Sequence, residues 1–282
     1  MNKWQIGAVT ITRVVENEGP TRGTFLFAEA TPENILRHAW LQPHFATPDG
    51  KLLSSIHAFV IESAGRRIVV DTCVGNDKPR AVRGWHMLQT RFLDDLAAAG
   101  FPRESIDTVL CTHLHVDHVG WNTMLVDGRW VPTFPNARYL FAQTEWEHWA
   151  AQAAHPEGDI MGDSVRPVID AGLCDLVQMD HRLANEIFLE PTPGHTPGHV
   201  SVRISSEGAD AVITGDLMHH PVQCGEPDWG SNFDTDTMAA RRTRREFLAR
   251  YADGPVLTLG THFAAPTGGY IKRDGDAWKF EV

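Results

Sequence analysis

Short apolar runs separated by turn residues dominate the chain, and most are too short to be helices. Runs or alternations at Gln5–Val14, Ile56–Glu62, Arg67–Asp71, Thr108–Cys111, Arg138–Phe141, Glu186–Leu189, Val200–Ile204, Ala211–Thr214 and Val256–Leu259 predict strands. A longer period shows between some of them. Leu88, Phe92, Leu96 and Ala99 fall on one helical face, which Gly100 then ends. Thr144 with Glu147 reads as a capping box opening a helix to about Ala153. Asp236 or Thr237 reads as the cap of a helix reaching about Ala252. Strands in pairs and runs, with helices interspersed, predict a layered α/β or α+β protein rather than a solenoid. There is no short-period repeat and no Gly/Ser- or Pro-rich linker, so residues 1–282 are expected to form a single domain. The segment Glu16–Leu53 is less regular and rich in Pro, His and Phe, and is the candidate lid or oligomer contact, which makes a homodimer one of the expectations.

Composition narrows the function classes. Apolar content of 42% and charged content of 22% are ordinary for a globular protein. A net charge of −11 argues against a sequence-independent nucleic-acid binder, which needs basic surface to displace counterions, and against attraction to an anionic membrane. The first residues lack the apolar stretch of a signal peptide, and no run approaches a membrane span. Cys73, Cys111, Cys174 and Cys224 are far apart and form no CxxC pair, so they read as free thiols in a reducing compartment. A cytoplasmic protein acting on a small molecule is the expectation. The run Arg241-Arg242-Thr243-Arg244-Arg245 reads as a solvated helix face paired with acids.

The candidate chemistry lies in fifteen histidines and their clustering. Thr112-His113-Leu114-His115-Val116-Asp117-His118 follows directly on a predicted strand. In an extended stretch His113 and His115 point the same way, and Asp117 and His118 can then turn to a second position. Four imidazole and carboxylate groups within six residues repel or dehydrate one another unless something binds them, and that donor mix suits zinc and related divalent ions. Three later stretches share the arrangement: Pro193-Gly194-His195-Thr196-Pro197-Gly198-His199, Thr214-Gly215-Asp216 and Gly260-Thr261-His262. Each follows a predicted strand, and strand C-termini are where sites gather in layered α/β proteins.

The pattern His-x-His-x-Asp-His, then a distant His, then Asp, then His, resembles the metallo-β-lactamase superfamily at every position, over Thr112–His262. Val69-Val70-Asp71-Thr72 and Thr192-Pro193-Gly194-His195-Thr196 resemble its flanking text, and the likeness runs from roughly Ile56 to the C-terminus. The resemblance implies a four-layer αββα sandwich of two mixed β-sheets with outer helices. It implies two divalent ions, expected to be Zn2+: His113, His115 and His195 on the first, Asp117, His118 and His262 on the second, and Asp216 bridging. Di-iron electron-transfer relatives usually carry Glu where this chain has His115, which favours a zinc-type hydrolase.

The function so implied is a binuclear metal-dependent hydrolase cleaving a lactone or carboxylic ester by metal-activated hydroxide attack. Asp117 is the expected proton shuttle, and Asp71 is expected to orient a ligand histidine. Signal-degrading lactonases of the superfamily commonly place a tyrosine after the bridging Asp. This chain has His219 and His220 there, and both become candidate catalytic residues. Trp121, Met218, Trp229 and Phe233 lie close in sequence to ligands and are the candidate substrate-pocket wall. Two other readings stand beside this one: an organophosphate or phosphodiester hydrolase on the same ligands, and a non-hydrolytic metal-binding redox protein on the same scaffold.

Overall fold

Strands and tight turns account for most of the chain, as the short apolar runs require. The computed structural model describes residues 2–152 and 157–282. Its first nine strands are β1 (Lys3–Ile6), β2 (Val9–Thr21), β3 (Leu52–Ser63), β4 (Arg66–Val70), β5 (Thr108–Leu110), β6 (Thr123–Val126), β7 (Arg129–Pro132), β8 (Arg138–Ala142) and β9 (Cys174–Val177). Seven of them form a sheet in the order β1-β2-β3-β4-β5-β8-β9. β4, β5, β8 and β9 pair in parallel, while β1–β2 and β3–β4 are antiparallel. A second, six-stranded sheet runs β10 (Ile187–Pro191), β11 (Val200–Ser206), β12 (Ala209–Ile213), β13 (Leu257–Leu259), β14 (Gly268–Asp274) and β15 (Ala277–Glu281). Only β12–β13 is parallel there. Both sheets are therefore mixed.

The chain divides into two compact units, Met1–Glu16 with Ile56–Met179 and Asn17–Ser55 with Asp180–Val282. The first unit's core gathers Val60, Val69, Val109 and Phe141 from its strands with Phe92 and Leu96 from helix Phe92–Ala98. Fully burying one such side chain is worth roughly 1.5–3 kcal/mol. The second unit's core gathers Val212, Ile271, Phe263 and Phe280 with Phe247 and Leu248 of helix Thr237–Tyr251. The segment 16–53 contributes Phe27, Ile35, Leu41, Phe45 and Leu52 to that same core.

Several local expectations need correction. The run Gln5–Val14 is two strands, because the chain turns back at Gly7, which sits at φ 55°. Leu88 packs on the core but precedes its helix, which starts at Phe92. Helix Gln143–Ala150 opens at Ala142 with no side-chain cap, so Thr144 and Glu147 form no capping box; Glu147 accepts instead from Gln143 Nε2. That helix's predicted end at Ala153 lies outside the described residues. Asp236 does cap helix Thr237–Tyr251, accepting from Ala239 N at 2.9 Å. In the arginine run, Arg245 pairs with exposed Asp228, but Arg244 is fully buried and donates to the carbonyls of Pro227, Leu217 and Trp229.

Candidate metal centre

The ligand-type side chains sit in loops that follow β5, β10, β12 and β13, and a hydrogen-bond partner holds Nδ1 of His113, His118, His195 and His262. After β5 the chain enters a turn, closed by His118 N donating to the His115 carbonyl at 3.1 Å. The stretch is thus not extended beyond Cys111, yet the rings still stack together: His113 lies 4.7 Å from His115 and 4.0 Å from His118, centroid to centroid. Asp71, just after β4, governs this loop. Its backbone takes the left-handed region at φ 58°, uncommon for a residue with a side chain. Its Oδ1 accepts from Thr112 N at 2.7 Å, and its Oδ2 accepts from Thr112 Oγ1 at 2.9 Å and His118 Nδ1 at 3.0 Å. With its proton given to Asp71, the Thr112 hydroxyl accepts from His113 Nδ1 at 3.1 Å. Asp71 therefore holds His118 directly and His113 through Thr112. A second anchor, invisible to the motif reading, is buried Glu145: its Oε1 accepts from Leu114 N and from Trp149 Nε1, and the Trp149 ring lies edge-on to His115.

In the second unit the anchors are dispersed. His195 Nδ1 donates to Asp234 Oδ1 at 3.0 Å, and His262 Nδ1 to the Ser55 carbonyl at 2.9 Å. Asp216 is aimed through its backbone, whose N–H donates to His199 Nε2 at 2.8 Å; His199 Nδ1 in turn donates to Thr192. Gly194 is required before His195, since it adopts φ 135° and a Cβ there would lie 2.2 Å from Ala240 N. Three imidazoles surround the Asp216 carboxylate: His262 Nε2 at 3.1 Å from Oδ1, and His219 Nε2 at 3.2 Å and His195 Nε2 at 3.5 Å from Oδ2. Burial pushes the Asp234 carboxyl up, an effect opposed by His219 and the buried Arg244.

This wiring tests whether a cation fits. A neutral imidazole carries one N–H. In His113, His118, His195 and His262 the Nδ1 faces an acceptor, so that proton is committed and Nε2 is a lone pair. Yet His195 and His262 turn Nε2 toward Asp216 oxygens, and His118 turns Nε2 toward Asp117 Oδ1 at 3.7 Å. Lone pair facing lone pair at such distances is repulsive unless a positive charge lies among them. Imidazole nitrogen with carboxylate oxygen is the donor set of zinc-type ions. Among the described residues of the second unit, His195, Asp216 and His219 form a group able to hold an ion, with ligand atoms within 4.8 Å of one another; in the first unit the rings of His113, His115 and His118 gather on one loop. The residues present fit a metal.

The remaining expected site residues separate clearly. His219 belongs to the carboxylate cluster, with Ser231 Oγ 3.3 Å from its Nε2. His220 does not. Its Nε2 donates to the Phe45 carbonyl at 2.8 Å and its Nδ1 accepts from Val222 N at 3.0 Å, so both ring nitrogens serve the backbone. Burial pushes its pKa down to about 3. Of the four expected pocket residues, three pack in the cores: Trp121 in the first unit, Met218 and Trp229 in the second. Trp121 stacks on Phe92 and donates its indole N–H to Glu16. Phe233 alone stays half-buried, with its ring edge-on to exposed Phe25.

Two mixed sheets whose strand ends carry an ordered His/Asp ligand set define a metallo-β-lactamase fold. The sequence profile of the metallo-beta-lactamase superfamily matches residues 53–262, and the chain belongs to that superfamily. Among curated relatives, an N-acyl homoserine lactonase of Bacillus thuringiensis is 26% identical over 125 residues, 44% of this chain and 43% of the relative. One from Bacillus cereus is 25% identical over the same shares. The chain thus aligns with less than half the length of the curated relatives it matches. Among solved structures, AidC, a dizinc quorum-quenching lactonase in complex with a homoserine product, matches with a TM-score of 0.80 and 20% identity over 99% of this chain and 96% of that one. The hydrolase AbOPH matches with a TM-score of 0.79 and 23% identity over the same shares. Both establish the fold. No helix among the described residues is long and apolar enough to cross a membrane.

Proposed function

We propose that this chain is a binuclear metal-dependent hydrolase that opens a lactone or cleaves a carboxylic ester. The observation that carries the reading is the commitment of four Nδ1 protons to fixed acceptors, which leaves Nε2 a lone pair in each ring, aimed at a carboxylate oxygen in His118, His195 and His262. His113, His115 and His195 would hold one ion, Asp117, His118 and His262 the other, with Asp216 shared. Zn2+ is the ion that this imidazole-rich set suits best. Bound there, the ions supply Lewis acidity and lower the pKa of water toward neutrality.

The chain's own residues do the rest. Asp71, Asp234 and the Ser55 carbonyl hold the ligand rings still. The Asp117 carboxylate, less buried than its histidine partners, is the proton acceptor beside the attacked bond. His219, beside Asp216, is the second polar group able to meet substrate or leaving group, whereas His220 is structural. Three buried thiols and a fourth half-buried fit a reducing, cytoplasmic setting.

A hydrolysis panel of lactones, carboxylic esters, aryl phosphotriesters and β-lactams on zinc-loaded protein tests the proposal. Lactones or esters are expected to turn over fastest, and His113→Ala is expected to lose metal and hydrolysis together. Turnover confined to phosphotriesters would overturn the substrate class. Full metal content and activity in His113→Ala would overturn the metal assignment.

A further inference from the structure

Asp234 lies outside every ligand motif, yet its surroundings give it a task. It sits in the turn that precedes helix Thr237–Tyr251, and its side chain is 1% exposed. One carboxylate oxygen takes the His195 Nδ1 proton and the other accepts from Ser231 N at 2.8 Å. The backbone on either side grips the same histidine loop: Thr235 N donates to the His195 carbonyl at 2.8 Å, and Asp236 N to the Gly194 carbonyl at 3.0 Å. The turn is itself pinned. Asn232 donates from Nδ2 to the carbonyls of Thr24 and Phe25 and from its backbone to that of Leu26. His195 is therefore held at its ring and at its backbone by one preorganised turn.

We propose that Asp234 is the positioning residue of His195: it fixes the Nδ1–H tautomer and so presents the Nε2 lone pair to the ion. The inference rests on the metal-site reading above and adds to it a carboxylate that no ligand pattern contains. Carboxylates behind ligand histidines are worth roughly 10–100-fold in metal affinity. They act by fixing ring orientation and raising basicity, so their loss is felt before any substrate binds.

Two variants and two readouts decide the matter, all on the full chain. In metal-free protein, nitrogen NMR of the histidine rings is expected to show His195 protonated at Nδ1, and Asp234→Ala to shift that tautomer. In chelator competition with zinc, Asp234→Ala is expected to weaken one of two ions by tenfold or more. Asp234→Asn, whose amide oxygen still accepts from His195, should fall between the two. An unchanged tautomer with zinc affinity within twofold of the parent would overturn the proposal, even if the melting temperature dropped. Should Asp234→Ala fail to fold, the same criteria apply to Asp234→Asn. A parent chain that takes up no zinc would sink the metal reading instead, and the tautomer measurement would still decide Asp234.

Discussion

In the 112–118 loop two ligand rings and a backbone amide depend on one carboxylate, Asp71, whereas His195, Asp216 and His262 come from three strand ends with three separate anchors. The difference follows from spacing. Side chains within six residues share one neighbourhood, so a single buried acceptor reaches two of the rings, His118 directly and His113 through Thr112. Ligands tens of residues apart meet different neighbours, and each needs its own: a side-chain carboxylate for His195, a histidine for the Asp216 backbone, a main-chain carbonyl for His262. The first arrangement concentrates its vulnerability at one residue; the second spreads it.

Asp71→Asn is the sharpest way to break that comparison. Asn tolerates φ 58°, so the backbone can stay. Its amide NH2 cannot accept, however, and Asp71 accepts from three donors. With the NH2 at the Oδ2 position, His118 loses its acceptor and the Thr112 hydroxyl must reverse, which deprives His113 as well. With the NH2 at the Oδ1 position it opposes Thr112 N–H. Zinc affinity is expected to fall by roughly 100-fold. Folding stability should fall by about 1–3 kcal/mol for each buried donor left without a partner. Chelator competition and denaturant melts measure both. The loss should touch both ions and exceed that of Asp234→Asn, which touches one. Equal losses in the two variants would erase the distinction between the regions.

The same contrast explains what was legible in the sequence. The seven candidate ligands were legible as a set, because each sits in a loop after an apolar strand and the ordered His/Asp pattern leaves a dense trace. Asp71 could be read because it closes such a strand itself. Asp234 and His199 could not, since nothing in a sequence says which distant side chain will meet the back of a ring. The Ser55 carbonyl is harder still, because a main-chain acceptor leaves no residue-type signal. The expected pocket residues were drawn from sequence proximity alone, which does not separate a core position from a site wall; Trp121, Met218 and Trp229 pack in the cores. The β6–β7 hairpin was missed although Asp127-Gly128, with both residues at positive φ, is a strong two-residue turn signal. Its strands are only four residues each, and apolar and polar residues do not alternate along them.

His220 sharpens the comparison from the opposite side, as a histidine next to the candidate ligands whose two ring nitrogens both bond to the backbone. Its pKa is pushed down to about 3 in the folded chain, against 6.5 ordinarily. The unfolded chain therefore binds a proton first as pH falls. Stability is undiminished by this group above pH 6.5 and is lost progressively from 6.5 down toward 3. Replacing it by Gln removes that titration. In metal-free protein, the stability advantage of the parent over His220→Gln at pH 7 should shrink by about 3 kcal/mol by pH 4. Denaturant melts at both pH values measure it, and a gap that stays constant would show that His220 is not buried neutral. The variant should bind zinc as the parent does, unlike Asp71→Asn.

Trp121→Phe carries the smallest expected effect and separates core from pocket within the first unit. The indole N–H is one of four donors to the buried Glu16 carboxylate, beside Val74 N, Gly75 N and Thr90 Oγ1. Burial already pushes the Glu16 carboxyl up, so each donor that steadies its charged form counts. Phe keeps the stack on Phe92 but removes the donor and part of the ring volume. The expected cost is about 1–3 kcal/mol of stability, read as a lower melting temperature. Because Trp121 packs in the core, KM for the preferred ester or lactone should change less than about twofold, since no contact made with substrate is removed. A several-fold rise in KM with an unaltered melting temperature would return Trp121 to the substrate wall and leave Glu16 held by its three remaining donors.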